Sequence, residues 1–291
     1  MNKFEKIYRV RAALFIAAFT LGGLATARSL ELVWISADQV DQLTSEFGYK
    51  PHNNCQVSRN ETGTMLFLSS PIRGGGTLVQ IVSHSGTRTN FVEGRAPVVN
   101  DDCSPICYIA KNAFKFSSGC EILRTFAGRI GFCPSRDYFF RCESVTGAVF
   151  RTSTPEIPLF ELPKTFWPQS IFLRTNDIYL FGRKTEPGAN RSVAWGLVYA
   201  SKGGFRLENE IDLSAFNGVC DMDPNRGLLL VTRGFEMFEK CGLYDLEAEE
   251  YRSLGRIRGD GLFLDESFRR YLEEHWKMKL ARPPAPADAE H

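Results

Sequence analysis

Histidine is scarce in this chain and never clustered. The 291 residues hold four, His52, His84, His275 and His291, each distant from the others. No C-x-x-C or C-x-x-C-H occurs, which removes thioredoxin-like and c-type haem sites. Cys103 and Cys107 form the one close cysteine pair, with no histidine beside them, so no metal site of ordinary spacing is expected. A G-x-x-x-x-G-K-[ST] loop, a G-x-G-x-x-G ahead of a helix and a G-x-S-x-G nucleophile elbow are missing too. So are vicinal cysteines and sialidase-like Asp boxes, and no cofactor is expected. An excess of either charge is also lacking, with 35 basic and 34 acidic residues. Such a balance gives no long-range attraction for nucleic acid or an anionic membrane.

Long apolar runs are nearly absent. The exception is Ala12 to Leu24, which is uncharged, preceded by Lys3, Lys6, Arg9 and Arg11, and followed by Ala25-Thr26-Ala27. Basic region, apolar core and A-x-A site together read as a secretory signal peptide over 1–27, cleaved after Ala27. An uncleaved anchor is the alternative, but the run is shorter than the roughly 20 residues a spanning helix needs. No cysteine marks a lipoprotein, and Val10 separates the arginines that a twin-arginine signal would join. Cleavage leaves 31 basic and 33 acidic residues, a formal charge of −2. The expected location is the periplasm or the exterior, with no stable membrane span after cleavage. The expected domains are the signal over 1–27, one folded domain over 28–280 and a disordered Pro/Ala-rich tail over 281–291.

All eight cysteines, Cys55, Cys103, Cys107, Cys120, Cys133, Cys142, Cys220 and Cys241, lie after the signal. In an exported chain an even count points to disulfides, although eight cysteines allow 105 complete pairings. Cys107 with Cys120, and Cys133 with Cys142, are candidates to bridge adjacent strands. Cys220 and Cys241 flank an intervening strand, so about 9.5 Å separates them against the roughly 7 Å limit for Cα atoms. Bonds between units, through Cys55, Cys103, Cys133 and Cys220, are a further option, and buried thiols another.

What recurs is a polar turn followed by an apolar run. The runs are Met65-Leu66-Phe67-Leu68, Cys107-Tyr108-Ile109-Ala110, Tyr138-Phe139-Phe140, Ile178-Tyr179-Leu180-Phe181, Leu228-Leu229-Leu230-Val231 and Arg270-Tyr271-Leu272. From Leu66, the steps to Tyr108, Phe139, Tyr179, Leu229 and Tyr271 are 42, 31, 40, 50 and 42 residues. A strand-built period near forty is the signature of propeller blades. In the clearest unit, Asn217 to Gly255, strands at Gly218–Met222, Leu228–Thr232, Gly242–Leu246 and Tyr251–Leu254 surround the turn Asp223-Pro224-Asn225-Arg226-Gly227.

Asp221 to Thr232, Leu243-Tyr244-Asp245-Leu246-Glu247 and Gly259 to Asp265 resemble the β-propellers with YVTN, NHL or WD-like repeats, most clearly over 217–272. That resemblance implies an all-β propeller of about six four-stranded blades and says nothing of activity. Blades are expected near 51–95, 96–127, 128–164, 165–214, 215–256 and 257–280. Leu30 to Ile35 reads as an early strand, and Trp276, Met278 and Leu280 alternate as a late one. Their pairing would close the ring and leave no sheet edge open.

Arg59, Arg136, Arg174, Arg226 and Arg269 lie in or beside the turns that precede the apolar runs. Such turns share one face of a propeller, so a ring of arginines there would bind an anionic ligand. Glu61, Asp137, Asp177, Asp223 and Asp265 with Glu266 stand in the same turns, and local pairing is the competing reading. Asp221-x-Asp223-x-Asn225 opens like a calcium loop, but Arg226 replaces its glycine and Thr232 its glutamate, so a hairpin turn is expected. Gly74-Gly75-Gly76 reads as a loop between strands of the first blade. In Ser83-His84-Ser85 the two hydroxyls share a face that His84 does not, so no catalytic pair forms. Asp101, Asp102, Asp221 and Asp260 are the carboxylates that would serve chemistry at a channel.

The expected role is recognition of a protein, glycan or small ligand through one face of the ring, ahead of catalysis. An extracytoplasmic hydrolase or lyase with its site at the channel mouth is one alternative. A structural subunit of an envelope assembly is the other.

Overall fold

The computed structural model describes residues 29–45, 55–72, 75–125, 128–143, 146–185, 191–233, 240–256 and 259–281. The expected signal peptide lies outside the described residues, as does the tail beyond Ala281. The first elements are β1 (Leu30–Ile35) and α1 (Ala37–Ser45). Blade one is β2 (Gln56–Arg59), β3 (Met65–Pro71), β4 (Thr77–Ser83) and β5 (Gly86–Val92). Blade two is β6 (Arg95–Val99), β7 (Pro105–Ala110), β8 (Ala113–Phe116) and β9 (Glu121–Leu123). Blade three is β10 (Arg129–Phe132), β11 (Tyr138–Glu143), β12 (Thr146–Arg151) and β13 (Thr154–Glu161). Blade four is β14 (Phe166–Arg174), β15 (Asp177–Thr185), β16 (Ser192–Ala200) and β17 (Arg206–Asp212). Blade five is β18 (Gly218–Asp223), β19 (Leu228–Arg233), β20 (Lys240–Asp245) and β21 (Tyr251–Arg256). The chain then forms β22 (Asp260–Asp265) and α2 (Glu266–His275).

Each blade is an antiparallel meander with its strands in chain order. The architecture is an all-β propeller of five four-stranded blades, with a two-stranded unit of β1 and β22 in the sixth place. First strands lie innermost: β22 packs against β18 on one side and β2 on the other. Second strands carry the apolar runs, because both their faces are covered by neighbouring blades. Leu66, Phe139, Leu180 and Leu229 are wholly buried there. Outer strands face water, and β17 is exposed at six of its seven positions.

Apolar clusters fill the interfaces between adjacent units, and β1 serves two of them by strand alternation. Leu30, Leu32 and Trp34 pack with Leu230 and Leu254 of blade five. Val33 and Ile35 pack with Leu66, Leu68 and Val82 of blade one. The ring is therefore closed by the N-terminal strand, whose register on β22 runs from Leu30 opposite Asp265 to Ile35 opposite Asp260.

Two expectations at the C-terminus are corrected. Arg270-Tyr271-Leu272 is helical, in α2, where Asp265 accepts from the Ser267 and Phe268 amides at 3.0 and 3.2 Å as N-cap. Phe268 and Leu272, one turn apart, bury the inner face of that helix, and Arg269 pairs with Glu273 along it. Trp276 to Leu280 forms no strand, although Met278 and Leu280 are buried, and the partner of β1 is β22. Only an isolated bridge, Trp34 to Ala281, joins β1 to that segment. Helix α1 was not anticipated. Its start is a capping box: the Ser36 amide donates to Gln39 Oε1 at 2.8 Å, and the Gln39 amide to Ser36 Oγ at 3.3 Å. Among the described residues, no helix is long and apolar enough to cross a membrane.

Gly63 lies where blade one meets the closing unit, with φ at 65°. Its carbonyl accepts from the Asp265 amide at 2.8 Å, and an added Cβ would fall 2.8 Å from that same nitrogen. Gly63→Ala should therefore destabilise the fold by about 1–3 kcal/mol in urea titration. An unchanged midpoint would show that this seam does not set stability.

Candidate functional site

The turns between first and second strands emerge together on one end of the ring, as the sequence indicated. Arg59, Arg136, Arg174 and Arg226 lie at these turns, whereas Arg269 lies in α2, and the five differ in what they touch. Arg59, at the end of β2, is 3% exposed. Its Nε and Nη2 donate to the two Asp221 carboxylate oxygens, each at 2.9 Å. Nη1 donates to the Asn60 and Glu61 carbonyls at 3.0 and 2.9 Å, and Nη2 also to the Met222 carbonyl. All five of its donors are thereby satisfied. Asp221 Oδ2 also accepts from the Phe263 amide at 2.8 Å, so one carboxylate joins blade one, blade five and the closing unit.

Arg174 reaches from blade four to blade five, donating to the Pro224 carbonyl at 3.1 Å and pairing with Glu247. Arg226 pairs with Asp223 within its turn and donates to the Leu30 carbonyl of β1. Arg269 is nearly buried between Glu31 of β1 and Glu273 of its own helix. Arg59, Arg174 and Arg226 bridge neighbouring units, Arg269 is held within the closing unit, and each of the four has a charged partner.

Arg136 is different. It occupies the turn between β10 and β11 with φ at 69°, a backbone state that a bulky residue rarely adopts. Its guanidinium lies over the Phe67 ring of blade one, 4.8 Å from the centroid. Its Nε is buried with no hydrogen-bond partner, and among the described residues the side chain enters no ion pair. Burial pulls its pKa below the usual arginine value, with Cys133 and Asp101 opposing.

Two cavities meet this end of the ring. A depression of about 490 Å³ is framed by Glu61 and Thr62 of blade one, Arg174 and Asn176 of blade four, and Pro224 and Asn225 of blade five. Thr175 and Asn176 hold left-handed backbone there, with φ at 50° and 72°. Glu61 is pushed above the usual carboxylate range by burial and by Asp137, with Arg59 opposing. A second cavity, about 510 Å³, runs along the ring axis between β2, β6, β10 and β22, with Arg136 and Asp260 in its wall.

The other candidates fall elsewhere. Asp221 is committed to Arg59, while Asp101 and Asp102 are exposed in the turn after β6. Asp223 accepts from the Asn225 and Arg226 amides at 3.0 and 3.3 Å, which makes the Asp221–Asn225 segment a hairpin turn. Among the described residues, no group of histidines, cysteines and carboxylates is placed to hold a metal. His84 packs at a tilt against Phe268 and Tyr271 of α2, with centroids at 5.3 and 4.9 Å. Ser83 Oγ and Ser85 Oγ are 2.8 Å apart. Gly75 and Gly76 link β3 to β4, and Gly74 lies outside the described residues.

No disulfide joins the eight cysteines. Strand register separates the nearest pairs. Cys107 stands opposite Phe116, and Phe116 in turn bonds to the Cys120 carbonyl, so a strand intervenes. Cys142 is opposite Arg129 while Cys133 bonds to Tyr138, four positions along the same ladder. Cys241 is opposite Thr232 and Thr232 opposite Gly218, so a strand separates Cys241 from Cys220 as expected. Burial raises the Cys107 thiol to about 12 and the Cys133 and Cys142 thiols to about 11, which keeps them protonated near neutral pH.

No family model matches the chain, and no curated protein matches it. Solved structures that resemble it include the β-propeller domain of the Trilobed protease from Pyrococcus furiosus. That match has 14% identity and a TM-score of 0.42, covering 68% of this chain and 71% of that one. TolB from Acinetobacter baumannii matches at 10% identity and a TM-score of 0.42, covering 71% of this chain and 55% of that one. Kuenenia stuttgartiensis hydrazine synthase matches at 12% identity and a TM-score of 0.35, covering 68% of this chain. The chain spans about half, 48%, of that hydrazine synthase chain. Likenesses of this degree carry no argument about activity.

Truncating Asp221 strands a buried guanidinium. Asp221→Ala should cost about 3–5 kcal/mol in thermal or urea unfolding. Replacing both partners, as Arg59→Met with Asp221→Leu, should restore much of that loss. A double variant no more stable than Asp221→Ala would argue against the pair as the seam.

Proposed function

We propose that this chain is an exported β-propeller recognition protein that receives a partner on the turn end of its ring. The observation that supports the reading is the depression of about 490 Å³ in which turns from blades one, four and five converge. A rigid ring holds these turns, and polar groups of both charges line the depression beside the apolar Leu173 and Pro224. Such a mixture suits specific recognition of a protein or glycan surface. In this reading Arg59, Arg174, Arg226 and Arg269 act as the frame that sets the turns, and Arg136 stands at the axial cavity.

Export rests on the basic region, apolar run and A-x-A site of residues 1–27. It would place the chain in the periplasm or outside the cell, where disulfides form. Cys55, Cys120 and Cys220 are the thiols with surface exposure, so oxidation without local unfolding falls to them.

A photo-crosslinking residue at Asn176 should capture the native partner in envelope extracts, and the capture should disappear with Thr62→Arg. The same residue at Leu207, on the outer strand β17, should capture nothing in common. Equal capture from both positions would sink the turn-end assignment. Intact mass of the accumulated protein should show a chain beginning at Arg28, with processing blocked by Ala27→Arg. Retention of residues 1–27 in the accumulated protein would overturn export by this route.

A further inference from the structure

The axial cavity goes beyond the turn-end reading, because it is a different space with its own chemistry. Its wall comes from the innermost strands of blades one, two and three and from Asp260 at the start of β22. Val57, Phe67, Val98, Val99, Ile130 and Phe132 give the wall its apolar part, and Gln56, Ser58 and Ser69 share the polar part with Arg136 and Asp260.

Arg136 is a half-buried charge without an ion-pair partner among the described residues. Its Nε is buried and unbonded, while Arg59, buried in the same ring, has a partner for every donor. A buried guanidinium is ordinarily paired, and the ring of Phe67 offers weaker compensation than a carboxylate. Asp101 acts on it from the exposed turn of blade two but forms no salt bridge with it. The left-handed backbone at Arg136 belongs to the turn itself, where its amide donates to the Cys133 carbonyl at 2.9 Å, as the Gly63 and Cys103 amides donate within the matching turns. The missing partner is supplied if the cavity receives an anion.

The rest of the wall narrows the class. The guanidinium fork fits a planar carboxylate by two parallel hydrogen bonds. Asp260, in the same wall, disfavours a second negative charge on the ligand. We infer that the axial cavity binds a small organic monocarboxylate, its carboxylate on Arg136 and its apolar body against Phe67, Val98, Ile130 and Phe132.

The test is calorimetric titration of the purified chain with phenylacetate, phenylacetamide and inorganic phosphate, with melting temperature read in parallel. Phenylacetate should bind, and the amide should bind at least about tenfold more weakly, since it cannot pair with the guanidinium. Arg136→Gln should weaken phenylacetate by about tenfold or more and leave the amide unchanged. Ser58→Trp, which fills the channel from β2 and leaves Arg136 intact, should abolish binding of both. Equal affinity for acid and amide, or full binding by Arg136→Gln, would overturn the inference. Phosphate binding as tight as phenylacetate would also overturn it, in favour of a general anion site. So would an unchanged heat and melting temperature with phenylacetate at about 10 mM. Should Arg136→Gln fail to fold, full phenylacetate binding by Ser58→Trp decides against the cavity. The turn-end partner is tested at Asn176 and Thr62 with Arg136 untouched, so either proposal can fail alone.

Discussion

One buried carboxylate holds the ring at its seam. Asp221 accepts both arms of Arg59 from blade one and the Phe263 amide from the closing unit, while its own strand belongs to blade five. Blade one is thereby joined to blade five and to the β22 strand that follows it, 162 and 42 residues marking the two contacts of one carboxylate. Taking Arg59 and Asp221 out of water is costly, and the cost is offset only because every donor of the guanidinium finds an acceptor. Geometry at this point is demanding in a way that apolar packing is not. A slip of one residue in β2 or β18 would leave a buried charge unpaired, and a slip in β22 would remove the Phe263 amide from Asp221, so the pair specifies register as much as it stabilises.

From that seam the remaining turns follow a common rule. Arginine near the end of a first strand, or in the turn behind it, ties its unit to a neighbour. Arg174 reaches Pro224 and Glu247 and Arg226 reaches Leu30, while Arg269, in α2, pairs with Glu31 inside the closing unit. The acids that share these turns are the partners in part, as Asp223 is for Arg226. Arg136 breaks the rule, with its guanidinium over Phe67 and a buried donor unspent. Departures of this kind, where local chemistry is left incomplete inside an otherwise satisfied structure, are where binding is expected.

Much of the architecture was legible in the residues. The period near forty placed five blades within a few residues of their edges, because the second strand of each blade is covered on both faces and must be apolar. Leu66, Phe139 and Leu229 carry that signal, and all three are wholly buried. The sixth repeat misled. Arg270-Tyr271-Leu272 resembles a short apolar strand, yet Asp265 caps a helix there, and Phe268 and Leu272 have helical spacing. Trp276, Met278 and Leu280 alternate as a strand would, but their burial comes from packing under α1 and β1 without a ladder. The Ser36–Gln39 capping box is the local mark of α1 in the residues.

Local chemistry written along the chain determined the blades, the turn types and the arginines at the turns of blades one, three, four and five. Those features depend on neighbours a few residues apart, through alternation, turn formers and caps. The tertiary structure alone decided which arginines are spent and which is not. Arg59 and Arg136 look equivalent in the sequence, each a lone arginine beside an acidic turn. What separates them is a partner 162 residues away, Asp221, which the closed ring brings to Arg59, while Arg136 is left facing an aromatic ring and a cavity. The energy of a charge depends on what surrounds it in space, and closure of the ring is what sets those surroundings.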